Sequence, residues 1–214
     1  MFNYCPGCAS EKINLTGGKL FRCPDCGFLY YHNTAAATGC VISVPDSDPA
    51  GSERILFLVR GDEPAKGKLD LPGGFVNPGE GALEGLYREI KEELGWVPPV
   101  PADTPLTKIF TLFSSFSNVY PYKNIDYNTC DLYFSLSAPG LKESDLRLQA
   151  GEVSAVRFLK PEEIDFNEMA FEATRRAVKA YCRLTKCLSQ SIQRNNFYIR
   201  QLPEVFKRSS NAKR

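Results

Sequence analysis

Residues 74–96 read GFVNPGEGALEGLYREIKEELGW, and the rest of the chain is best understood outward from them. Glu80 to Leu94 predicts a helix of about four turns. Its glycines, Gly81 and Gly85, lie in the first half, and it has no internal proline. Leu83, Leu86, Tyr87, Ile90 and Leu94 recur at spacings of three and four, which makes an apolar stripe. Gly95 stands where a left-handed residue usually ends a helix. Glu89, Glu92 and Glu93 sit at i, i+3 and i+4 and so share one face within a turn. Like charges so placed destabilise an isolated helix by roughly 0.2–0.5 kcal/mol per pair. Lys91 is the one basic residue among them, and it points elsewhere. A hard divalent cation, which takes oxygen ligands, holds such carboxylates together, so Mg²⁺ or Mn²⁺ is the expected cofactor.

The remaining spacings carry a resemblance. Gly74, Glu80, Arg88-Glu89, Ile90, Glu92-Glu93, Gly95 and Trp96 match the pattern G-x5-E-x7-R-E-U-x-E-E-x-G-U, with U apolar, at every defined position. This resembles the Nudix box; the alternative is an ordinary amphipathic acidic helix. The resemblance implies a Nudix hydrolase, which cleaves a nucleoside diphosphate linked to another moiety. It implies an α+β fold in which a mixed sheet lies between helices as an α/β/α sandwich. In that family the carbonyl of the residue aligned with Gly74 often joins the metal shell, so the implied metal set is Gly74, Glu89, Glu92 and Glu93. Arg88 is expected to pair with the box glutamates and orient them, and Glu80 to share that support role.

Ahead of the box, Cys5-Pro6-Gly7-Cys8 and Cys23-Pro24-Asp25-Cys26 form two C-x2-C knuckles separated by fourteen residues. Two such turns close a tetrahedral S₄ site, so Cys5, Cys8, Cys23 and Cys26 are expected zinc ligands of a small ribbon. Two disulfides are the alternative. A unit this short buries too little core to fold alone, and the metal supplies its folding energy. His32, the chain's one histidine, reads as a surface or linker residue.

Composition is that of a globular domain, with 43% hydrophobic and 24% charged residues over 214 positions. The longest apolar runs fall far short of a membrane span. The N-terminus lacks the basic and apolar pattern of a signal peptide. Eight cysteines without an export signal point to a reducing compartment, so a cytoplasmic location is expected. A net charge of +1 offers no field for steering nucleic acid, and none is expected as a partner. The division expected is a zinc ribbon over 1–33, the Nudix-like domain over 35–188, and a C-terminal segment with a basic tail over 189–214.

Along the chain, strands are expected at Thr38–Val44, Arg54–Arg60, Thr107–Phe116, Thr129–Ala138 and Val153–Leu159, while Leu69–Phe75 leads into the box through a turn at Pro72-Gly73-Gly74. Pro45–Glu53 reads as a polar loop. Asp165-Phe166-Asn167-Glu168 resembles a capping box that opens a helix to about Leu188. A short helix is expected near Phe197–Phe206, followed by the basic tail KRSSNAKR. Cys40, Cys130, Cys182 and Cys187 have no C-x2-C partner and read as ordinary thiols.

Ser117–Tyr127 holds three tyrosines, two asparagines and a lysine. Tyr120 and Tyr122 either pack a hairpin edge or form a platform for stacking a base, with Asn118 or Lys123 as polar readers. Arg60 matches a position that meets the nucleotide in several Nudix families; a solvent-facing arginine is the alternative. The family frequently carries an aromatic where this chain has Asp70. A glutamate before the last strand often joins the metals or acts as base, which makes Glu152 the candidate, with Glu143 or Asp145 as alternatives.

A ribbon ahead of such a domain is similar to the NADH pyrophosphatase arrangement. That family carries SQPWPFPxS after the box, whereas Ser115–Pro121 here keeps only the first serine and last proline. The implied reaction is metal-dependent hydrolysis of a pyrophosphate bond in an NADH-like dinucleotide or, second, ADP-ribose, releasing a nucleoside monophosphate. Glu93, Glu92 or Glu152 would take the water's proton. The competing reading is a non-catalytic nucleotide sensor acting through a partner. Such modules usually lose box glutamates, and every one is present here. Many members of the family are dimers, with the tyrosine hairpin or C-terminal segment as candidate homodimer interfaces.

Overall fold

The computed structural model describes residues 2–45 and 53–201, with side chains as far as 186. Most of the loop expected over Pro45–Glu53, the Cys187 thiol and the tail KRSSNAKR therefore lie outside the described residues. Three short strands, β1 (Asn14–Thr16), β2 (Leu20–Arg22) and β3 (Leu29–Tyr31), form an antiparallel sheet in the order β1-β2-β3. Phe2 and Tyr30 pack edge-on against each other, and Phe2 also meets Phe21, which is buried in this unit together with Cys5 and Cys23.

The larger sheet begins with β4 (Ala35–Val44) and β5 (Arg54–Arg60), followed by β6 (Leu69–Asp70), β7 (Thr111–Tyr122), β8 (Ile125–Ser137) and β9 (Val153–Leu159). Its order is β6-β5-β4-β8-β7, with β9 on the other edge of β5; β4 and β8 are parallel and the other pairs antiparallel. The apolar run in β5 alternates between two cores, as a strand with covered faces must. Leu56 and Leu58 face helix α1 (Ala82–Leu94) through Leu86, Ile90 and Leu94. Ile55 and Phe57 face helix α3 (Glu172–Gln201) through Ala173, Ala177, Val178 and Tyr181. The result is the expected α/β/α sandwich.

β4 is shared between two neighbours. Its second half pairs with β5 through Ile42, Ser43 and Val44. Its first half is taken by the segment before α1: Thr38 N–H donates to Gly74 O at 2.8 Å, Cys40 N–H to Pro72 O at 2.8 Å, and Val76 N–H to Ala36 O at 3.0 Å. The sheet splits between β4 and β5, and the box loop fills the split.

Several boundaries differ from expectation for identifiable reasons. Helix α1 starts at Ala82 because the Glu80 carboxylate is used outside it, accepting from Asn77 N–H at 3.0 Å and from Arg88. Gly95 ends the helix with φ 57°, as its position predicts. Leu106–Ile109 is a helical turn, α2, rather than the start of a strand, since Phe110 N–H returns to Leu106 O at 2.9 Å and both apolar residues reach the core. The tyrosine segment is not a connection between strands but the strands themselves. Lys123 and Asn124 both have positive φ, 47° and 64°, which makes a two-residue turn of the kind that matches strand twist. Asp165-Phe166-Asn167-Glu168 caps only a 3₁₀ turn; Glu168 pairs with Arg157 at 2.9 Å, and α3 begins at Glu172. α3 then continues to Gln201, where a break near Leu188 and a second helix were expected.

Leu86 is fully buried between α1 and the sheet. Its truncation in Leu86→Ala is expected to cost about 2–5 kcal/mol. Urea denaturation should show a lower midpoint at an unchanged slope; an unchanged midpoint would mean that α1 is not docked on this core.

Candidate active site

The split in the sheet opens into a cavity of about 400 Å³ lined by residues from the box loop, α1, β7, β8, the loop before β9, and the start of α3. Gly73 and Gly74 make it. A side-chain carbon on Gly73 would stand 2.1 Å from Thr38 O, and one on Gly74 would stand 2.6 Å from Glu89 Oε1. At Gly73 the obstacle is β4 backbone, so only glycine fits there; at Gly74 it is the end of the Glu89 side chain, so any larger residue displaces that carboxylate. Gly73 N–H is left to donate to Glu93 Oε2 at 2.9 Å. Gly74 O accepts from the Thr38 N–H at 2.8 Å and from the Thr38 hydroxyl at 3.4 Å.

Arg88 stands behind these groups. Its guanidinium donates to Glu80 Oε1 at 2.7 Å and Oε2 at 3.0 Å, to Glu89 Oε1 at 2.8 Å, to Glu92 Oε2 at 2.9 Å and to Phe75 O at 3.1 Å. It therefore orients carboxylates rather than facing the cavity, the support role implied for it and for Glu80.

Among the candidate ligands, Glu89, Glu93, Gly74 and Glu152 line the cavity. Glu92 does not: its half-exposed carboxylate turns back to Arg88. Burial pushes the Glu93 carboxyl well above its usual range, opposed by the Gly73 N–H and reinforced by Glu89, Asp70 and Glu152. Burial also raises Glu89, against the pull of Arg88, with Glu92 and Glu152 adding to the rise. These carboxylates repel one another and only one has a guanidinium against it, so a hard cation fits the donor set by charge and by oxygen chemistry. Glu143 and Asp145 form a 3₁₀ turn outside the cavity lining, which leaves Glu152 as the candidate from that region.

Arg60 is not solvent-facing. It is held by Pro64 O at 2.7 Å, by Asp70 Oδ2 at 3.1 Å and by the Tyr120 hydroxyl at 3.4 Å, with its guanidinium 5.1 Å from the centre of the Phe171 ring. Asp70, where the family often has an aromatic, is a partly buried partner to Arg60 and accepts from Thr174 Oγ1 at 2.9 Å. Asn118, Tyr120 and Tyr122 alternate along one face of β7 and all line the cavity. Phe75 and Tyr120 meet edge to face at 5.5 Å, and Tyr120 meets Phe171 at 5.4 Å, giving the cavity an aromatic wall. Lys123 occupies the hairpin turn, with its ammonium 5.1 Å from the Tyr122 ring centre, outside the cavity lining. Sequence reading passed over Asp131, Thr129 and Thr174, although alternation in Thr129–Tyr133 places two of them on one buried face.

The four N-terminal cysteine sulfurs lie within 4.8 Å of one another. Cys5 and Cys26 Sγ are 3.6 Å apart, and Cys8 and Cys23 Sγ are 3.7 Å apart. A disulfide brings sulfurs to about 2.0 Å. A tetrahedral zinc with sulfurs at about 2.3 Å spaces them by about 3.8 Å, so these thiols fit the metal.

A family model of the NUDIX domain matches residues 34–182. This chain belongs to the NUDIX family. An ADP-ribose pyrophosphatase of Methanocaldococcus jannaschii is 42% identical over 72 residues, 34% of this chain and 38% of that protein. The NAD-capped RNA hydrolase NudC of Deinococcus radiodurans is 26% identical over 173 residues, 81% of this chain and 54% of that protein. The chain thus spans about half the length of such NUDIX relatives, or less. Among solved structures, a MutT/nudix family protein from Enterococcus faecalis superposes with TM-score 0.56 at 19% identity, over 76% of this chain and 66% of that one. The NUDIX domain of Shewanella oneidensis NrtR complexed with ADP ribose gives 0.54 at 16%, over 72% and 90%. At these identities the structures speak for the fold alone. Among the described residues, no helix is long and apolar enough to cross a membrane.

Two outcomes follow from this geometry. Elemental analysis is expected to find about one zinc per chain, lost in the double variant Cys8→Ser, Cys26→Ser; full retention there would exclude the four-sulfur site. Arg88→Ala strips the donors from Glu80 and Glu89 and is expected to lower stability by about 1–3 kcal/mol, measured by urea unfolding, with Arg88→Lys restoring little because the fork geometry is lost.

Proposed function

We propose that this chain is a divalent-cation-dependent pyrophosphohydrolase of nucleoside diphosphate derivatives, with NADH-like dinucleotides first and ADP-ribose second. One observation carries the reading. The cavity is lined by Asp62, Glu63, Asp70, Glu89, Glu93, Asp131 and Glu152, against Arg60 as the one basic side chain among the described residues. A cavity so acidic repels a pyrophosphate unless cations stand between them. The names of the relatives, an ADP-ribose pyrophosphatase and NAD-capped RNA hydrolases, support the same substrate class.

Glu89, Glu93, Glu152 and the Gly74 carbonyl would hold Mg²⁺ or Mn²⁺; Glu92 would join them on leaving Arg88. Bound there, the cation neutralises charge on the phosphates and acidifies water beside it. The chain's own groups do the rest. Arg88 keeps Glu89 in place, and the Gly73 N–H fixes Glu93. A carboxylate, Glu93 or Glu152, takes the proton as water adds to phosphorus, and the bridging P–O bond breaks. The products are a nucleoside monophosphate and a second phosphorylated fragment. The aromatic wall of Phe75, Tyr120 and Phe171 suits a stacked ring. The first 33 residues would serve as a zinc-folded unit preceding the hydrolase domain over 35–188, with 189–214 as an appended segment.

A panel of NADH, NAD⁺, ADP-ribose, diadenosine polyphosphates, coenzyme A and nucleoside triphosphates, assayed with Mg²⁺ for nucleoside monophosphate release, tests the reading. A dinucleotide or ADP-ribose is expected to lead. Glu93→Gln is expected to lower kcat by about 10²–10⁴-fold with an unchanged circular dichroism spectrum; undiminished turnover would remove Glu93 from the site. Silence across the panel with nucleotide binding retained would favour a sensor.

A further inference from the structure

At the β8 side of the cavity lie two buried oxygens that nothing in the protein satisfies. Thr129 is 2% exposed and Asp131 is 7% exposed, and both line the cavity. Asp131 Oδ2 accepts from the Tyr133 hydroxyl at 3.3 Å. Asp131 Oδ1 and Thr129 Oγ1 have no hydrogen-bond partner. Burial pushes the Asp131 carboxyl up, and Thr129, Tyr133 and Asn118 beside it favour the ionised form, yet none closes a hydrogen bond on Oδ1. Buried acceptors are nearly always satisfied, so an orphaned pair facing a cavity calls for a donor from outside.

The surroundings define the donor's shape. Asp131 pairs across the parallel ladder with Ala37, whose other edge bridges Phe75. Gly39, two residues on, leaves no room for a side chain, since an added carbon would stand 2.9 Å from the Tyr133 ring. The floor is therefore small residues of β4, and Phe75 with Tyr120 makes a wall. A flat ring fits such a slot. One carboxylate and one hydroxyl offer too few oxygens for a hard cation.

We propose that Asp131 and Thr129 form a subsite that reads the N–H-bearing edge of the substrate's heterocycle, an exocyclic amino or carboxamide group. The inference rests on the nucleotide reading above and adds what selects the base. An acceptor-only oxygen at the same place would be set against the Asp131 carboxylate, with the Thr129 hydroxyl alone able to donate to it. The site would accept the first kind of ring and reject the second.

The test is calorimetric binding of phosphate-free nucleosides to the full chain without divalent cation, so that neither turnover nor repulsion of phosphate by the acidic cavity enters. Adenosine against 6-methoxypurine riboside replaces an amino group by an acceptor-only oxygen; nicotinamide riboside against nicotinic acid riboside replaces a carboxamide by a carboxylate. At least one pair is expected to favour the N–H-bearing member by about 10–100-fold, and that pair identifies the source of the donor. Asp131→Asn, which can turn its amide to donate, should bring the ratio near unity. Thr129→Val, close in shape, should weaken the N–H-bearing member alone, whereas a purely structural role would weaken both equally. Equal affinities within both pairs, an unchanged ratio in Asp131→Asn, or binding by none of the four compounds would overturn the subsite. Discrimination in binding without hydrolysis of any substrate would overturn the hydrolase reading instead and leave the subsite standing.

Discussion

A strand edge can hydrogen-bond one neighbour at a time, and in this protein β4 divides one edge between two. Ile42–Val44 takes β5, while Ala36–Cys40 takes the loop of Pro72–Val76. Everything chemical hangs on that division. It turns the loop's carbonyls towards β4, leaves the Gly73 N–H to Glu93, and brings the first turns of α1 under the open end of the sheet. Glycine at 73 is what the approach permits, because a side chain there would collide with β4 backbone at Thr38, and glycine at 74 leaves room for the Glu89 carboxylate.

The two apolar cores serve this arrangement from opposite faces. α1 is held by Leu86, Ile90 and Leu94 on one side, and α3 by Ala173, Ala177 and Val178 on the other. Rigid seating matters because the carboxylates of α1 oppose one another. Arg88 relieves part of that repulsion behind the cavity, and the rest falls on Glu89, pushed upward by burial and then by Glu92 and Glu152, and on Glu93, pushed upward by burial and then by Glu89, Asp70 and Glu152. A site that stores unfavourable charge in this way is poised for a cation. The same economy holds at Asp70, whose burial is offset by Arg60 and Thr174, two partners drawn from β5 and from α3.

Local pattern explains what was legible beforehand. The knuckles at Cys5–Cys8 and Cys23–Cys26, the stripe and glutamates of α1, its stop at Gly95, and strands such as Arg54–Arg60 and Val153–Leu159 all depend on neighbours within a turn or a few residues. Boundaries failed where a distant partner outbid a local one. Glu168 left its capping box for Arg157, and Leu106–Ile109 coiled because its apolar pair could reach the core. Lys123 shared a segment with the tyrosines but became the hairpin turn, where two successive positive φ values remove it from the cavity.

By itself, then, the sequence determined the family, the four sulfurs, the carboxylate helix and the pairing of Arg88 with its glutamates, since each is a matter of spacing over a short stretch of chain. Tertiary structure decided which of those carboxylates face the cavity, turning Glu92 to Arg88 and bringing in Glu152 from a loop some sixty residues away. It also decided that Asp131 and Thr129 are buried without partners. Strand register across β4, β7 and β8 sets that, and register is a property of pairings between segments far apart in the chain.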